Sequence, residues 1–305
     1  MGNENLKEIV LALRELCLEA IREGDPVVIT GHDMPDSDSI ISAVMLRELL
    51  LRLGVKATVK FGTRSDGVTE RLTKGLEIFD GVSFDGFDPA DKLVLVDHHV
   101  TFYKNDVIAC VDHHTTPPDP EFKLNLVQRA SSCGRMIFDM AVSVGKDDGW
   151  LEKLAIYSVY LDTQSTLAPK FVQSDAEWLK EGIARLGLDE EELIRAGFCL
   201  NSLDERAENL AMYAYKRYEF SGKVGASTCI QIDTEEAWQG KIDEIIGFLK
   251  EKREADGALL WVLVVNKPQI VRSDLYFIRE SGVEIVCLDR LASRSRDVVP
   301  HMSRI

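Results

Sequence analysis

The chain has 305 residues, 45% of them apolar and 29% charged, and carries a formal net charge of −15. That length is enough for two domains and a sizeable core. The acidic balance, with no broad basic face, excludes a protein that grips duplex nucleic acid through its phosphates. No apolar stretch reaches the ~20 residues that span a bilayer. An acidic chain can still bind a small anion if cations are supplied locally, by metal ions or by a few Lys and Arg side chains.

In chain order, residues 5–23 place Leu6, Ile9, Val10, Leu13, Leu16, Cys17 and Ile21 at three- and four-residue steps, which predicts an amphipathic helix. This polar start leading into a helix does not have the form of a signal peptide. A strand over 26–30 and a helix over 39–53, closed by Gly54, follow. Next come a strand over 55–61, a helix near 69–79, and buried-type strands over 92–96 and 106–111. Residues 115–120 (Thr-Thr-Pro-Pro-Asp-Pro) read as a loop. A short strand at 124–127 and helices over 131–144, 150–161 and 175–186 complete the first half. Strands alternating with helices predict an α/β fold with a doubly wound, mostly parallel sheet. The pattern changes near 188–204, where Asp189-Glu190-Glu191-Glu192 reads as a solvated helix start. The domains are therefore set at 1–190 and 203–305, with a linker at about 191–202. In the second, smaller α/β domain, Ser202 caps a helix to about 215. Strands at 218–220 and 224–232 flank the hairpin signal Ser221-Gly222. A helix at 242–252 and strands at 258–265 and 284–288 follow.

Six scattered cysteines with no Cys-x-x-Cys pair form neither a disulfide framework nor a structural zinc site, and read as small buried hydrophobes in a reducing compartment. The expected location is cytoplasmic. The four tryptophans (Trp150, Trp178, Trp238, Trp261) read as packing residues and His301 as a surface residue, while Lys267 and Arg272 are candidates to line a cleft.

Chemistry concentrates at the ends of apolar runs. His32, Asp36 and Asp38 follow strand 26–30; Asp97-His98-His99 follows 92–96; Asp112-His113-His114 follows 106–111; Asp162 ends helix 150–161. In an open parallel sheet, ligands bind at the carboxyl ends of the strands. Singly, each of these is an ordinary loop residue or helix cap, Asp36 and Asp38 above all. Jointly, His32, Asp36, Asp38, Asp97, His113 and Asp162 supply the carboxylates and imidazoles that a pair of divalent ions takes.

Gly31-His32-x-x-Pro35-Asp36-x-Asp38-Ser39, Val96-Asp97-His98, Asp112-His113-His114 and Leu161-Asp162-Thr163 resemble the four motifs of the DHH phosphoesterase superfamily, nearest to its manganese-dependent (family II) inorganic pyrophosphatases. In the second half, Lys216-Arg217-Tyr218-Glu219-Phe220 and Ser293-Arg294-Ser295-Arg296-Asp297-Val298-Val299-Pro300 resemble that family's Lys-x-aromatic and Ser-Arg-Lys-Lys-Gln-Val-Val-Pro segments. The resemblance implies a DHH metal-binding catalytic domain followed by a DHHA2-like substrate-binding domain. It implies that His32, Asp36 and Asp97 hold one metal, that Asp38, Asp97, His113 and Asp162 hold the other, and that Asp97 bridges. His114 would contact a substrate phosphate, with Lys216 and Arg294 supplying cations from the second domain. Asp97, His114 and Asp38 are then the expected catalytic residues, and His114, Lys216, Arg294 and Arg296 the expected substrate-binding ones.

The implied cofactors are two divalent ions, Mn²⁺ first, with Mg²⁺ or Co²⁺ as alternatives. The implied reaction is pyrophosphate hydrolysis to two phosphates by a hydroxide held between the metals. The implied partner is a small phosphate-containing substrate, with no nucleic-acid duplex and no membrane; the resemblance leaves room for a homodimer, though no residue shows one. Two departures bear on the substrate. Ser295, Arg296 and Asp297 stand where the family has Lys, Lys and Gln, so one cation is lost and a carboxylate gained. Arg296 differs from Lys in reach and geometry. Asp97-His98-His99 replaces the usual Asp-His-Asn, a change that resembles the prune and exopolyphosphatase branch, whose substrates are short polyphosphates or other phosphoesters. His99 is then a ligand, a substrate contact or a solvent-facing residue, with the last two preferred. A scaffold module that has kept metal ligands without catalysis is the non-enzyme alternative.

Overall fold

The structure, a computed structural model, describes residues 3–65, 69, 73, 76–99, 104–114, 122–198, 200–233 and 235–304. The helix expected near 69–79 and the loop at 115–120 fall largely or wholly outside them. The chain divides into two compact units, one of residues 1–163 and 170–197, the other of 164–169 and 198–305.

The first unit is built on a six-stranded, all-parallel sheet in the order β3-β2-β1-β4-β5-β6. Its strands are β1 (Val27–Thr30), β2 (Thr58–Lys60), β3 (Val82–Ser83), β4 (Lys92–Val96), β5 (Val107–Asp112) and β6 (Leu124–Val127). The central strands β1 and β5 are buried at every residue, and β4 at all but its first, which explains why they read as unbroken apolar runs and not as alternating ones. Helix α1 (Asn3–Glu23) precedes the sheet, and α2 (Ser37–Arg52) follows β1. Helix α2 packs on β1, β2 and β4 and against α3 (Cys133–Ser143) and α4 (Gly149–Asp162). Asp36, Ser132 and Asp148 cap α2, α3 and α4, each accepting a backbone N–H three residues on. Helices α5 (Asp175–Leu186) and α6 (Glu190–Gly197) close the unit, and Gly187, at φ +62°, ends α5 where a side chain would be strained. Sheet order reverses between β1 and β4, which makes their carboxyl ends the crevice of the sheet.

The second unit holds a mixed five-stranded sheet in the order β11-β10-β9-β8-β7, in which only β8 and β9 run parallel. Its elements are α7 (Ala207–Ala211), β7 (Lys216–Phe220), β8 (Lys223–Gln231), α8 (Glu235–Ala255), β9 (Leu260–Lys267), β10 (Arg272–Arg279) and β11 (Gly282–Leu288), then a π-turn (Arg294–Val298) and α9 (Val299–Met302). Alternation along β9 and β10 serves two cores. Trp261, Leu263, Val265, Tyr276 and Ile278 pack with Trp238, Ile242, Ile245 and Leu249 of α8. Leu260, Val262, Val264, Leu275 and Phe277 pack on the other face with Val298 and Met302.

Several expectations are corrected here. The helix from Ser202 to about 215 is only Ala207–Ala211, because Ala214 takes φ +49° and turns the chain into β7. Strand 55–61 contracts to Thr58–Lys60, and β10 had not been anticipated. Trp150 is 39% exposed, so it is not a packing residue. Lys267 is buried and paired with Asp274. Cys287 is exposed, whereas Cys17, Cys110 and Cys133 are buried free thiols. Among the described residues no helix is long and apolar enough to cross a membrane.

Candidate metal centre

The loops after β1, β4 and β5, the first turn of α2 and the last residue of α4 deliver carboxylates and imidazoles to the crevice at the carboxyl ends of β1, β4 and β5. Asp97, directly after β4, adopts φ +61°, a conformation Asp tolerates better than most residues. Its two oxygens face different imidazoles. Oδ2 lies 3.6 Å from His32 Nε2, and Oδ1 lies 3.2 Å from His113 Nε2. Asp36 Oδ2 is 3.5 Å from the same His32 nitrogen, and Asp36 also caps α2. His113 Nε2 further faces Asp38 Oδ2 at 3.7 Å and Asp162 Oδ2 at 3.6 Å. Two groups therefore form, His32/Asp36/Asp97 and Asp38/His113/Asp162, each with ligand atoms within 4.8 Å of one another, and Asp97 also groups with His113 and His114.

The donor set suits a pair of divalent ions. His113 Nε2 and Asp162 Oδ2 are buried and have no hydrogen-bond partner among the described residues. His113 Nδ1 contacts Ala130 O at 3.2 Å, the kind of second hydrogen bond that orients metal-ligating histidines, and it directs Nε2 at the carboxylates. Such a ring of anionic oxygens demands positive charge. Burial opposes a proton on His113, yet Asp97, Asp162 and Asp38 outweigh it and lift the imidazole to about 10. Burial, with repulsion from Asp97 and Asp162, pushes Asp38 up to about 8. Burial also opposes ionisation of Asp97, but His113, His114 and His32 hold it well below the usual carboxylate range. Such ligands bind a metal in their deprotonated form, so divalent ions would compete with protons for this cage.

The remaining expected residues sit as follows. His114 is half-exposed; Asp112 Oδ1 lies 2.8 Å from its Nδ1 and fixes the ring. His99 is not solvent-facing: it is 3% exposed, with Nδ1 against the other Asp112 oxygen. In the second unit, Lys216 is exposed at the start of β7, and Arg294 Nη1 donates to Ala214 O at 2.5 Å, just ahead of that strand. Arg296 is exposed. Asp297 is not a bare carboxylate: Arg290 binds it with both terminal nitrogens, at 2.8 and 2.6 Å, and Ser293 N donates to it at 2.8 Å. Lys170, whose ammonium pairs with Asp162 Oδ1, was also missed, because a lysine eight residues past a candidate ligand carries no spacing signal.

Burial raises Asp297, but hydrogen bonds from Arg290, Ser293 and Arg296 outweigh it and hold the carboxyl at about 2. Its contribution to stability is therefore complete above the unfolded value, about 3.9, and is lost as pH falls through about 2. The stability gap between the parent and Asp297→Asn is expected to be widest above about pH 4 and to close on acidification. Urea denaturation of both proteins across that range checks it, and a pH-independent gap would contradict it.

A doubly grouped Asp/His cage at the switch point of a parallel sheet defines an α/β protein with a candidate divalent-metal centre. Within the first unit, residues 26–162 match the N-terminal domain of the DHH family. The chain is similar to the manganese-dependent inorganic pyrophosphatase of Methanocaldococcus jannaschii, at 26% identity over 90% of this chain and 98% of the relative. It is similar to that of Methanothrix thermoacetophila at 25% identity over 90% and 97%. Among solved structures, one from Methanococcus jannaschii, provisionally described as a family II inorganic pyrophosphatase, superposes with a TM-score of 0.76 at 20% identity, covering 91% of this chain and 98% of that one. At that identity the superposition speaks for the fold alone.

Proposed function

We propose that this chain is a metal-dependent phosphoanhydride hydrolase that cleaves inorganic pyrophosphate to two phosphates, with two divalent ions, Mn²⁺ first. The observation that carries the reading is Asp97, whose two oxygens address two separate ligand groups. His32, Asp36 and Asp97 hold one ion, and Asp38, Asp97, His113 and Asp162 the other. Bound there, the ions supply Lewis acidity and a water of lowered pKa. The chain's own residues do the rest. Asp112 orients His114, whose outer nitrogen contacts a substrate phosphate. Lys216, Arg294 and Arg296 bind phosphate oxygens through charge-assisted hydrogen bonds that strengthen as charge builds in the transition state. On this reading the first unit is the catalytic domain and the second the substrate-binding domain, with the boundary near 191–202. A cytoplasmic setting goes with it, in keeping with the free thiols.

Phosphate release from pyrophosphate, tripolyphosphate and a dinucleotide, each with added Mn²⁺, tests the proposal. Pyrophosphate is expected to be hydrolysed fastest. Faster turnover of tripolyphosphate or the dinucleotide would move the assignment to the exopolyphosphatase-type alternative, and Mn²⁺ binding without any release would leave a scaffold module. Arg294→Ala is expected to raise KM for pyrophosphate about tenfold, or ~1.4 kcal/mol, with a smaller change in kcat. Steady-state kinetics read this, and unchanged constants would remove Arg294 from substrate binding.

A further inference from the structure

Two buried serines stand behind the cage, and each touches a different carboxylate. Ser39 Oγ donates to Asp97 Oδ2 at 2.6 Å, the oxygen that faces His32. Ser158 Oγ donates to Asp38 Oδ1 at 2.5 Å. Both serines have no exposed surface. Asp38 is held by more than one donor: Ser42 Oγ and Gly134 N reach Oδ1 at 3.1 Å each, and Cys133 N reaches Oδ2 at 2.8 Å. Oδ1 is thus saturated, while Oδ2 remains turned toward His113. Ser158 lies 2.7 Å from Ser132 Oγ. Its single proton goes to the carboxylate, so Ser132 supplies the donor for that contact.

Each serine is also fixed by a glycine with no room for a side chain. A methyl at Gly31 would lie 2.6 Å from Ser39 Cβ and 2.9 Å from its Oγ. A methyl at Gly134 would lie 2.4 Å from Ser158 Oγ and 2.7 Å from its Cβ. The backbone at each glycine therefore comes so close to its serine that any side chain there would push the hydroxyl off its carboxylate. Hydrogen-bonding partners of this kind orient ligands and change metal affinity by about 10–100-fold.

We propose that Ser39 and Ser158 are positioning residues that set the affinities of the two metal ions separately: Ser39, through Asp97 Oδ2, for the ion of His32, Asp36 and Asp97, and Ser158, through Asp38, for the ion of Asp38, His113, Asp162 and the other Asp97 oxygen. This rests on the metal-centre reading above. It accounts for two Gly/Ser pairs at unrelated places in the chain, Gly31/Ser39 at the β1–α2 junction and Gly134/Ser158 between α3 and α4, converging on two carboxylates of one site.

The test is calorimetric titration of the full metal-free chain with Mn²⁺, comparing the parent with Ser39→Ala, Ser158→Ala and the double variant. The parent is expected to bind two ions. Each single variant is expected to lose about 10–100-fold at one ion, a different one in each, with the other ion within about threefold; the double variant loses affinity at both. Asp36→Asn and Asp162→Asn, titrated alongside, assign each ion to its group. Thermal unfolding of the metal-free variants separates this from general damage, which weakens both ions together. Should Ser158→Ala not fold, Ser158→Cys keeps most of the volume with a far weaker donor. Equal weakening of both ions in a single variant, loss at the same ion in both variants, or parent-like affinities throughout would overturn the proposal. A parent that binds no Mn²⁺ would instead overturn the metal centre itself.

Discussion

Asp97→Ala is expected to cut pyrophosphate turnover at least a thousandfold, a loss of about 4 kcal/mol of transition-state stabilisation. The argument is geometric. The other ligand carboxylates each serve one group, but Asp97 presents Oδ2 to His32 and Oδ1 to His113. Its removal takes a ligand from both ions at once, together with the negative charge that draws positive charge between the two imidazoles. Asp162→Ala, which strips one group only, is expected to be milder and to be partly rescued by excess Mn²⁺. Steady-state rates over a range of Mn²⁺ concentrations distinguish the two. If Asp97→Ala keeps activity within about tenfold of the parent, ~1.4 kcal/mol, the shared-ligand reading fails.

The candidate ligands were legible because position does much of the work. A strand buried on both faces ends abruptly in sequence, and the next charged residue lies by construction at the carboxyl edge of the sheet. Asp97 after Lys92–Val96 and His113 after Val107–Asp112 are found this way. The hydroxyls behind them were not legible. Ser39 and Ser158 look like ordinary helical serines, and only the coordinates show which carboxylate each one touches. His99 was misjudged for a related reason: its partner Asp112 belongs to the neighbouring strand, so the pairing depends on register between β4 and β5.

In the second unit, turn chemistry gave the β7–β8 hairpin, since Ser221 and Gly222 both take positive φ. Strand β10 escaped because Leu275-Tyr276-Phe277-Ile278 faces two cores in turn and shows no polar alternation. The departure at Asp297 looked like an added negative charge near the substrate. It is instead a bidentate partner of Arg290, a residue to which no motif points.

Removing the Asp274 carboxylate should produce the largest loss of stability. Lys267 and Asp274 are 3% and 5% exposed, and Nζ lies 2.6 Å from Oδ2 across adjacent strands β9 and β10. Bringing two charges out of water costs several kcal/mol, which close pairing roughly offsets. Deleting one partner leaves the other charge buried and costs about 3–5 kcal/mol, well beyond the ~1 kcal/mol of a typical substitution. Asp274→Ala is therefore expected to lower hydrogen-exchange protection across β9 and β10 by two to three orders of magnitude, at about 1.4 kcal/mol per decade. The double variant Lys267→Met/Asp274→Leu is expected to recover protection to near or above the parent, because an apolar pair of similar volume avoids desolvation altogether. Exchange measured strand by strand is the suitable readout, since a chain of two units need not unfold in one step. Parent-like protection in Asp274→Ala would mean that the remaining surroundings of Lys267 accommodate its charge at no cost, and the pair would then contribute nothing to holding the sheet.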